Sequence, residues 1–309
     1  MRKAVDSALA QRGDFRLRIV VVDDASPIPA REELGDLLSQ QPDRFILVEQ
    51  KNAGCYPASN TALDHVPAGT DCVAFLDSDD VWTADHVGNA VWALDQGYDL
   101  YFSDFYQLNQ TVTAFNRAKR IDVARHPRIH SSQPIHEFRA DMFDQILRGN
   151  ILGTSTIVYD WHKFSTLRYL EDFRHTGAEY ILWLNLAMRC QKIAFSSAPE
   201  TTYGGGVNIY SEAAWGSEKY LSVRHDEIKY KQHILAHLPV SAGQAEFLRG
   251  MIRQSRANFA RGYWHGLLRG KLSGRMLSRQ VRLDPATLGA LLVAPARIAL
   301  NRGNHRASS

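Results

Sequence analysis

Short apolar runs alternate with amphipathic segments over the first 107 residues of the chain. The predicted strands are 15–22, 45–49, 72–76 and 99–107, and the predicted helices are 2–11, 57–65 and 84–96, with another around 34–38. Strands of about five residues that alternate with helices predict βα units, which build a parallel sheet with right-handed crossovers. The pattern therefore predicts an α/β fold.

The pattern changes after residue 107. An irregular excursion is predicted for 112–134, followed by a helix at 137–148, a strand at 151–159, a helix at 177–189, short strands at 193–195 and 201–203, and long helices at 212–238 and 242–268. We predict two domains from this order. The first is an α/β domain over 1–210 and the second is a helical C-terminal extension over 211–309.

The charge of the chain is unevenly distributed. The net charge is +3, but residues 241–309 contain 12 Lys and Arg against 2 acids, so this segment is +10 and the rest is −7. The C-terminal extension is thus basic from about residue 246. A solvated helical surface and a surface for an anionic partner, such as acidic lipid, both fit this charge. Since no recognition motif accompanies it, we expect no nucleic-acid partner.

Compartment signals are few. Three scattered cysteines (Cys55, Cys72 and Cys190) form no metal or disulfide pattern, which favours a reducing compartment. No secretory signal is recognisable, and no apolar stretch reaches the ~18 residues of a spanning helix. The most apolar stretch, 286–300, is suited to lying on a membrane. We expect a cytoplasmic protein that can be peripheral at the cytoplasmic face of the membrane.

Acidic residues follow two of the predicted strands. Asp23 and Asp24 come after the first, and Asp77, Asp79 and Asp80 come after the third. Ligands of parallel α/β sheets lie beyond the carboxyl ends of the strands, so both positions suit a binding site. Asp23 and Asp24 can accept hydrogen bonds from a base or ribose, or they can form a simple Asx-type turn.

The second acidic cluster is typical of a site for a hard divalent cation. Three carboxylates within four residues repel one another unless a cation or solvent relieves them. Mg²⁺ commonly uses one or two carboxylates plus substrate phosphates. The alternative is an acidic turn before the next helix, with Asp80 or Thr83 as N-cap. An EF-hand is excluded, because Trp82 and Gly88 stand where that loop needs Gly and Glu.

Four motifs occur together in one order: V-V-D-D-A-S (21–26), K-N-A-G-C-Y-P-A-S-N (51–60), F-L-D-S-D-D (75–80) and T-G-A-E-Y-I-L-W-L (176–184). In this order the set resembles the family 2 glycosyltransferases over residues 2–203. The resemblance implies a GT-A fold, a nucleotide-sugar donor, a divalent metal (Mn²⁺ or Mg²⁺), and transfer with inversion to a saccharide or lipid-linked acceptor. It also suggests a role in cell-surface polysaccharide or glycoconjugate synthesis.

The resemblance assigns roles by position. Asp23, Asp24, Asn52, Gly54, Asn60 and Asp77 match donor nucleotide-binding positions, while Asp79, and next to it Asp80, match the metal-binding end of the D-x-D element. The family often has Arg where this chain has Ser59, so the role of that Arg is not carried over.

Glu179 matches the catalytic base, which in the family is usually Asp. The resemblance implies that it takes a proton from the acceptor hydroxyl. Glu171 and Asp172 are rival bases if the alignment is shifted. The other interpretation of Glu179 is a solvated acid at a helix start, where it also suits the helix dipole.

Family members begin with an apolar strand that this sequence does not show before its first helix. We expect a start further upstream. A missing central strand would expose the edges of its neighbours. A non-catalytic nucleotide-sugar-binding or scaffold protein is therefore the alternative function. A phosphoacceptor receiver domain and a sugar nucleotidyltransferase fit less well, because the Lys-Pro-like element of the first and the Gly-rich phosphate loop of the second are missing.

Overall fold

The computed structural model describes residues 1–205, 213–270 and 274–295, and these form two compact units. The first contains 1–171 and 182–205, and the second contains 172–181 and the described residues from 213 onward. The predicted domain boundary at 210–211 and the predicted helix start at Glu212 lie outside the described residues, so both stay predictions.

The elements follow the predicted alternation. Among the described residues the strands are β1 (Ile19–Asp23), β2 (Phe45–Glu49), β3 (Cys72–Ala74), β4 (Val81–Trp82), β5 (Leu100–Tyr106), β6 (Ile135–Glu137), β7 (Val158–Asp160) and β8 (Ile193–Thr202). The helices are α1 (Arg2–Leu9), α2 (Ala30–Glu33), α3 (Gly35–Gln40), α4 (Cys55–Asp64), α5 (His86–Asp95), α6 (Ala114–Ala118), α7 (Met142–Arg148), α8 (Trp161–Phe164), α9 (Ala178–Ala187), α10 (Glu218–His237), α11 (Ala242–Leu267) and α12 (Gly274–Leu283). The predicted α/β class with a helical C-terminal region is confirmed.

The sheet of the first unit is mixed. Strand β5 is central, pairing in parallel with β8 and antiparallel with β7. The strand order is β3-β7-β5-β8-β4, with β6 paired antiparallel to β8. The sequence pattern predicts a mostly parallel sheet, but the ladders of β3 with β7 and of β4 with β8 are antiparallel. Hydrophobic periodicity finds strands but does not show their direction.

Strands β1 and β2 form a separate parallel pair, in register from Ile19 opposite Phe45 to Asp23 opposite Glu49. Within the described residues β1 pairs only with β2, and β3 pairs only with β7. Each therefore has one edge without a ladder partner there. All three residues of β3 are partly exposed, unlike those of β5, of which six in seven are buried.

Several boundaries differ from the sequence predictions. The segment predicted as a strand at 151–159 contains a 3-10 turn at Thr154–Thr156 and becomes β-strand only at Val158. The predicted helix start at Glu137 is the end of β6, and α7 starts at Met142 after the N-cap Asp141. The two short strands predicted at 193–195 and 201–203 are one strand, β8, whose pairing with β5 contains register shifts after Ser103.

The first unit is packed around β5 and β8. Fully buried aromatic side chains come from both strands, and Phe102 stacks on Phe195 with ring centroids 5.4 Å apart. A buried carboxylate, Glu200 of β8, accepts hydrogen bonds from Asn89 (2.7 Å) and from the Tyr101 hydroxyl (2.8 Å), and it lies 3.0 Å from Nδ1 of His86. These bonds join α5 to the carboxyl half of β8, which leads to the candidate site.

The second unit is helical. Helix α11 starts with a capping box between Ser241 and Gln244. Its buried residues Phe259 and Ala260 pack with Leu221 of α10 and with Leu291, which lies in the helical residues 287–295. The same unit contains a half-buried ion pair: the guanidinium of Arg256 donates to both carboxylate oxygens of Asp284 at 2.7 and 2.8 Å. This pair ties α11 to the end of α12.

Candidate functional site

The first acidic pair stabilises the loops at the ends of β1 and β2. Asp23 is buried, and its carboxylate accepts from the amides of Ser26 (2.8 Å) and Ala30 (2.7 Å). Burial acts to raise the pKa of Asp23, but these amide bonds outweigh it and the pKa is lowered. Asp23 therefore stays ionised and forms the Asx-type turn that the sequence left open.

Asp24 joins the β1 loop to the β2 loop. Its Oδ1 accepts from the side chain of Gln50 (2.7 Å) and the amide of Ala53 (2.8 Å), and its Oδ2 accepts from the amide of Gly54 (2.8 Å). The side-chain amide of Asn52 donates to the carbonyl of Asp24 at 3.0 Å. The structure thus brings together three of the predicted donor-binding residues: Asp24, Asn52 and Gly54.

The backbone conformation at position 54 requires glycine. It is the N-cap of α4 with φ of 101°, a value that side chains with a Cβ rarely adopt, whereas a Cβ there would meet no atom within 4 Å. Conformation rather than space therefore explains this glycine.

Asn60 of α4 is buried and contacts its own chain. Its amide nitrogen donates to the carbonyl of Tyr169 (2.9 Å) and to Oε1 of Glu171 (2.8 Å), and its Oδ1 accepts from the amide of Tyr169 (2.8 Å). These bonds fix the segment around 169–171. They also engage Glu171, one of the rival bases. The contact of Asn60 with a nucleotide stays a prediction.

The second acidic cluster separates into two environments. Asp77 and Asp79 are exposed, whereas Asp80 is only 3% exposed. The carboxylate of Asp80 accepts from the Ser155 hydroxyl (2.6 Å) and from the amide of Gly204 (3.0 Å). Burial, helped by the charge of Asp79, raises the pKa of Asp80 to about 6 against the opposing effect of these two bonds. The cluster is not the cap of the next helix, since α5 has Asp85 as its N-cap residue.

Ser155 and Gly204 position the acidic loop, and the sequence analysis missed both. The Ser155 hydroxyl also accepts from the amide of Asp77 at 2.9 Å, so one buried side chain contacts both ends of the D-S-D-D turn. A Cβ at Gly204 would lie 1.7 Å from the carbonyl oxygen of Asp79, so this position excludes any larger residue. The sequence signal that could have pointed to Ser155 and Gly204 is the run of small residues around each of them, G-T-S-T at 153–156 and G-G at 204–205.

The exposed carboxylates fit a hard divalent cation. Asp77 and Asp79 are exposed residues that follow shortly after the end of β3, and carboxylate oxygens are ligands that such a cation prefers. Across residues 1–205, 213–270 and 274–295, no group of three or more His, Cys, Asp or Glu side chains is arranged to hold a metal. A Mg²⁺ site of one or two carboxylates completed by substrate phosphates does not require such a group. The residues therefore fit the cation, with Asp79 as the first candidate ligand.

Glu179 belongs to the second unit and lies in the first turn of α9. Its Oε1 accepts from the Thr176 hydroxyl (3.0 Å) and its Oε2 accepts from the amide of Gly177 (3.0 Å). An acid at this place suits the helix dipole, as the alternative interpretation predicted. The same bonds hold its carboxylate in one orientation. Asp172, the second rival base, pairs with Lys229 at 2.6 Å.

Comparison with known proteins agrees with the resemblance of the motifs. The family model described as Glycosyl transferase family 2 matches residues 1–163. The succinoglycan biosynthesis protein ExoW of Rhizobium meliloti (strain 1021) is 29% identical over 238 residues, which cover 72% of this chain and 69% of that protein. An uncharacterised glycosyltransferase of Nostoc sp., alr2836, is 38% identical over 82 residues, covering 26% of this chain and 24% of that protein.

The fold has solved relatives. The crystal structure of Staphylococcus aureus TarS 1–349 superposes with a TM-score of 0.56 and 14% sequence identity, covering 95% of this chain and 76% of that one. At this identity the likeness concerns the fold, which is GT-A. Since the family model covers more than half of the 309 residues, the chain belongs to glycosyl transferase family 2.

Proposed function

We propose that this protein transfers a sugar from a nucleotide-diphosphate donor to a hydroxyl of a saccharide or lipid-linked acceptor, with inversion at the anomeric carbon. The observation that carries the proposal is the pair of exposed acidic residues Asp77 and Asp79. Their loop is held by hydrogen bonds from Ser155 and Gly204 to its buried member Asp80 and by the bond from the amide of Asp77 to Ser155. Membership of the family supports a nucleotide-sugar donor and a saccharide acceptor.

The first unit supplies the proposed donor site. Asp24, Asn52 and Gly54 would form the edge that faces the base and ribose, and Asp77 and Asp79 would hold Mn²⁺ or Mg²⁺. When bound, the cation neutralises the charge that develops on the leaving diphosphate. Asp80 was predicted as a metal ligand. Its two oxygens are engaged by Ser155 and Gly204, so we propose that it shapes the loop and leaves direct metal contact to Asp79.

Glu179 supplies the proposed general base. As a carboxylate it accepts the proton of the acceptor hydroxyl while that oxygen bonds to the anomeric carbon. The bond from the anomeric carbon to the diphosphate oxygen breaks on the opposite face, and the electron pair leaves with the nucleoside diphosphate. One displacement inverts the configuration.

The relative named for succinoglycan biosynthesis supports a role in polysaccharide assembly. Its match extends over 238 residues, well beyond the 163 matched by the family model. This supports our proposal that the acceptor is a growing cell-surface saccharide, including one linked to a lipid.

Donor binding tests the proposal directly. In thermal unfolding with Mn²⁺ and UDP, GDP or dTDP, one nucleotide is expected to raise Tm by roughly 5 °C, because ligand at 100 times Kd adds about 2.7 kcal/mol of stability. Asp79→Asn is expected to lose the metal-dependent part of this shift. Asp95→Asn, which changes an exposed carboxylate at the end of α5, serves as the matched control and keeps it.

Three outcomes are informative. A shift that needs Mn²⁺ and Asp79 supports the donor site and identifies the nucleotide. A shift without transfer or donor hydrolysis favours the non-catalytic nucleotide-sugar-binding alternative. No shift with any nucleotide contradicts the donor site.

We also propose that the second unit lies against anionic lipid at the cytoplasmic face of the membrane. None of the helices in the described part of the chain is long and apolar enough to span a bilayer. The exposed face of α12 carries Arg275, Arg279 and Arg282, and the helical residues 287–295 that follow expose Leu288 (51%) and Leu292 (83%). Basic and aliphatic faces in succession are typical of segments that bind anionic membrane surfaces.

Vesicle flotation tests this surface. The full chain is expected to float with vesicles of phosphatidylglycerol and phosphatidylcholine, and Leu288→Ser with Leu292→Ser is expected to reduce the bound fraction several-fold. Ile28→Ser, which changes a 63% exposed residue of the first unit, is the matched control. Equal binding by the double variant and the control, or no binding by the parent protein, would contradict the assignment.

A further inference from the structure

The segment that carries Glu179 is contacted along its length by one face of α10. This α10 face consists of Asp226, Lys229 and Tyr230, which are neighbours on a helix at spacings of three and four residues. Residues 172–181 belong to the same compact unit as α10, although they lie about forty residues earlier in the chain. Contacts between residues 172–181 and α10 account for this grouping.

Asp226 holds the backbone just before Glu179. Its Oδ2 accepts from the amides of Arg174 (3.2 Å) and His175 (2.8 Å). Asp226 is completely buried, and its Oδ1 has no hydrogen-bond partner among the residues that the structure describes. Burying a carboxyl group with one oxygen unpartnered is costly, so the presence of Asp226 at this place calls for an explanation beyond packing.

Lys229 and Tyr230 contact the segment on either side of that point. The ammonium of Lys229 pairs with the carboxylate of Asp172 (2.6 Å) and lies 4.4 Å from the ring centre of Phe173. The ring of Tyr230 stacks on Tyr180 with centroids 5.1 Å apart. Gly177 lies against Tyr230 so closely that a Cβ there would be 2.7 Å from the Tyr230 Cβ. Its φ of 117° also disfavours a side chain.

These contacts converge on the two groups that bond the carboxylate of Glu179. The Thr176 hydroxyl and the Gly177 amide each donate to it, and they follow the residues that Asp226 holds. A displacement of 174–177 would therefore move both donors and turn the carboxylate. Misplacement of a reacting group by about 1 Å can cost on the order of 100-fold in rate.

We infer that Asp226 is a positioning residue for Glu179, and that the α10 face orients the catalytic carboxylate through residues 174–177. This inference rests on the proposed function of Glu179. It assigns a role in the chemical step to a helix that lies outside the region matched by the family model.

Asp226→Asn is the central test, because it keeps the shape while a neutral carbonyl accepts the Arg174 and His175 amides more weakly than a carboxylate does. We expect a 10- to 100-fold lower kcat with the donor KM and the Mn²⁺-dependent nucleotide shift in Tm unchanged. Lys229→Met, at a partly exposed site, is expected to lower kcat by a few-fold and covers the case in which Asp226→Asn fails to fold. Asp284→Asn is the matched control: a buried aspartate of the same unit that contacts Arg256 instead of residues 172–181.

A double-mutant cycle separates positioning from general stability. In the Glu179→Gln background, Asp226→Asn is expected to lower the residual rate by less than twofold, since its effect passes through the missing carboxylate. Full additivity of the two losses, or a kcat loss in Asp284→Asn equal to that in Asp226→Asn, would overturn the inference. If no nucleotide raises the Tm of the parent protein, the proposed function is overturned instead.

Discussion

Replacing Glu179 by Gln is expected to lower kcat by about 10²- to 10⁴-fold, the range that a general base contributes. Gln keeps the size: its oxygen can accept from the Gly177 amide while its amide nitrogen donates to the Thr176 hydroxyl, but it cannot take the proton of the acceptor. The donor KM and the nucleotide-dependent rise in Tm should stay as in the parent protein. The measurement is release of nucleoside diphosphate from the donor, with short oligosaccharides as acceptors and with water alone.

The two neighbouring acids provide matched controls. Glu171→Gln changes a carboxylate that accepts from Asn60, and Asp172→Asn changes one that pairs with Lys229. Neither should approach the loss of Glu179→Gln. If either variant loses activity by 10²-fold or more while Glu179→Gln keeps it, the base is that residue and the assignment of Glu179 is wrong.

Replacing Lys231 by Met is expected to stabilise the protein by on the order of 2 kcal/mol at pH 7. Lys231 of α10 is 4% exposed, and burial lowers its pKa to about 8. The negative charge of Glu227 opposes this decrease, and the positive charge of Arg224 adds to it. Its ammonium donates to the carbonyl of Glu227 at 3.1 Å and lies 4.3 Å from the ring centre of Tyr230. These contacts offset only part of the desolvation cost.

The sign of the pH dependence follows from the lowered pKa. Between about pH 8 and pH 10.5 the unfolded chain binds a proton at Lys231 that the folded chain has released, so this residue makes stability rise with pH in that window. Below pH 8 Lys231 is protonated in both the folded and the unfolded chain, so its destabilising effect does not change with pH. The advantage of Lys231→Met should therefore be largest at neutral pH and shrink towards pH 10.

Urea unfolding of the parent protein and of Lys231→Met at pH 7, 8.5 and 9.5 measures the difference between their free energies of unfolding. The contributions of the other titrating groups cancel in this difference. Lys3→Met, which changes an exposed lysine of α1, is the matched control and should shift stability by less than about 0.5 kcal/mol at every pH. A destabilised Lys231→Met protein at pH 7, or an advantage that grows with pH, would contradict the prediction.

The sequence was most informative about elements with strong periodicity. The sequence pattern located β2 and β5 within one residue, and it located α11 within one residue. Strand direction was not readable, because an apolar run of five residues looks the same in a parallel and an antiparallel ladder. The 3-10 turn at 154–156 was hidden for a similar reason, since its two Thr residues also favour strands.

The candidate site was predictable in its charged residues and unpredictable in what holds them. The motifs predicted roles for Asp77, Asp79 and Glu179 because their order resembles that of a family. They did not separate exposed Asp79 from buried Asp80, since that distinction depends on Ser155, which lies 75 residues away in sequence. Contacts of this kind, including those between Asp226 and residues 174–175, arise only from the tertiary fold.

The pairing of residues 172–181 with α10 imposes an order on the making of this enzyme. A ribosome adds about 5–20 residues per second and releases the N-terminal part first. While the chain is still shorter than about 230 residues, Glu179 has already been synthesised, but the helix that contacts its segment has not. The loops of the proposed donor site can thus be complete on a nascent chain whose proposed base is not yet held, so we expect activity to arise late in synthesis.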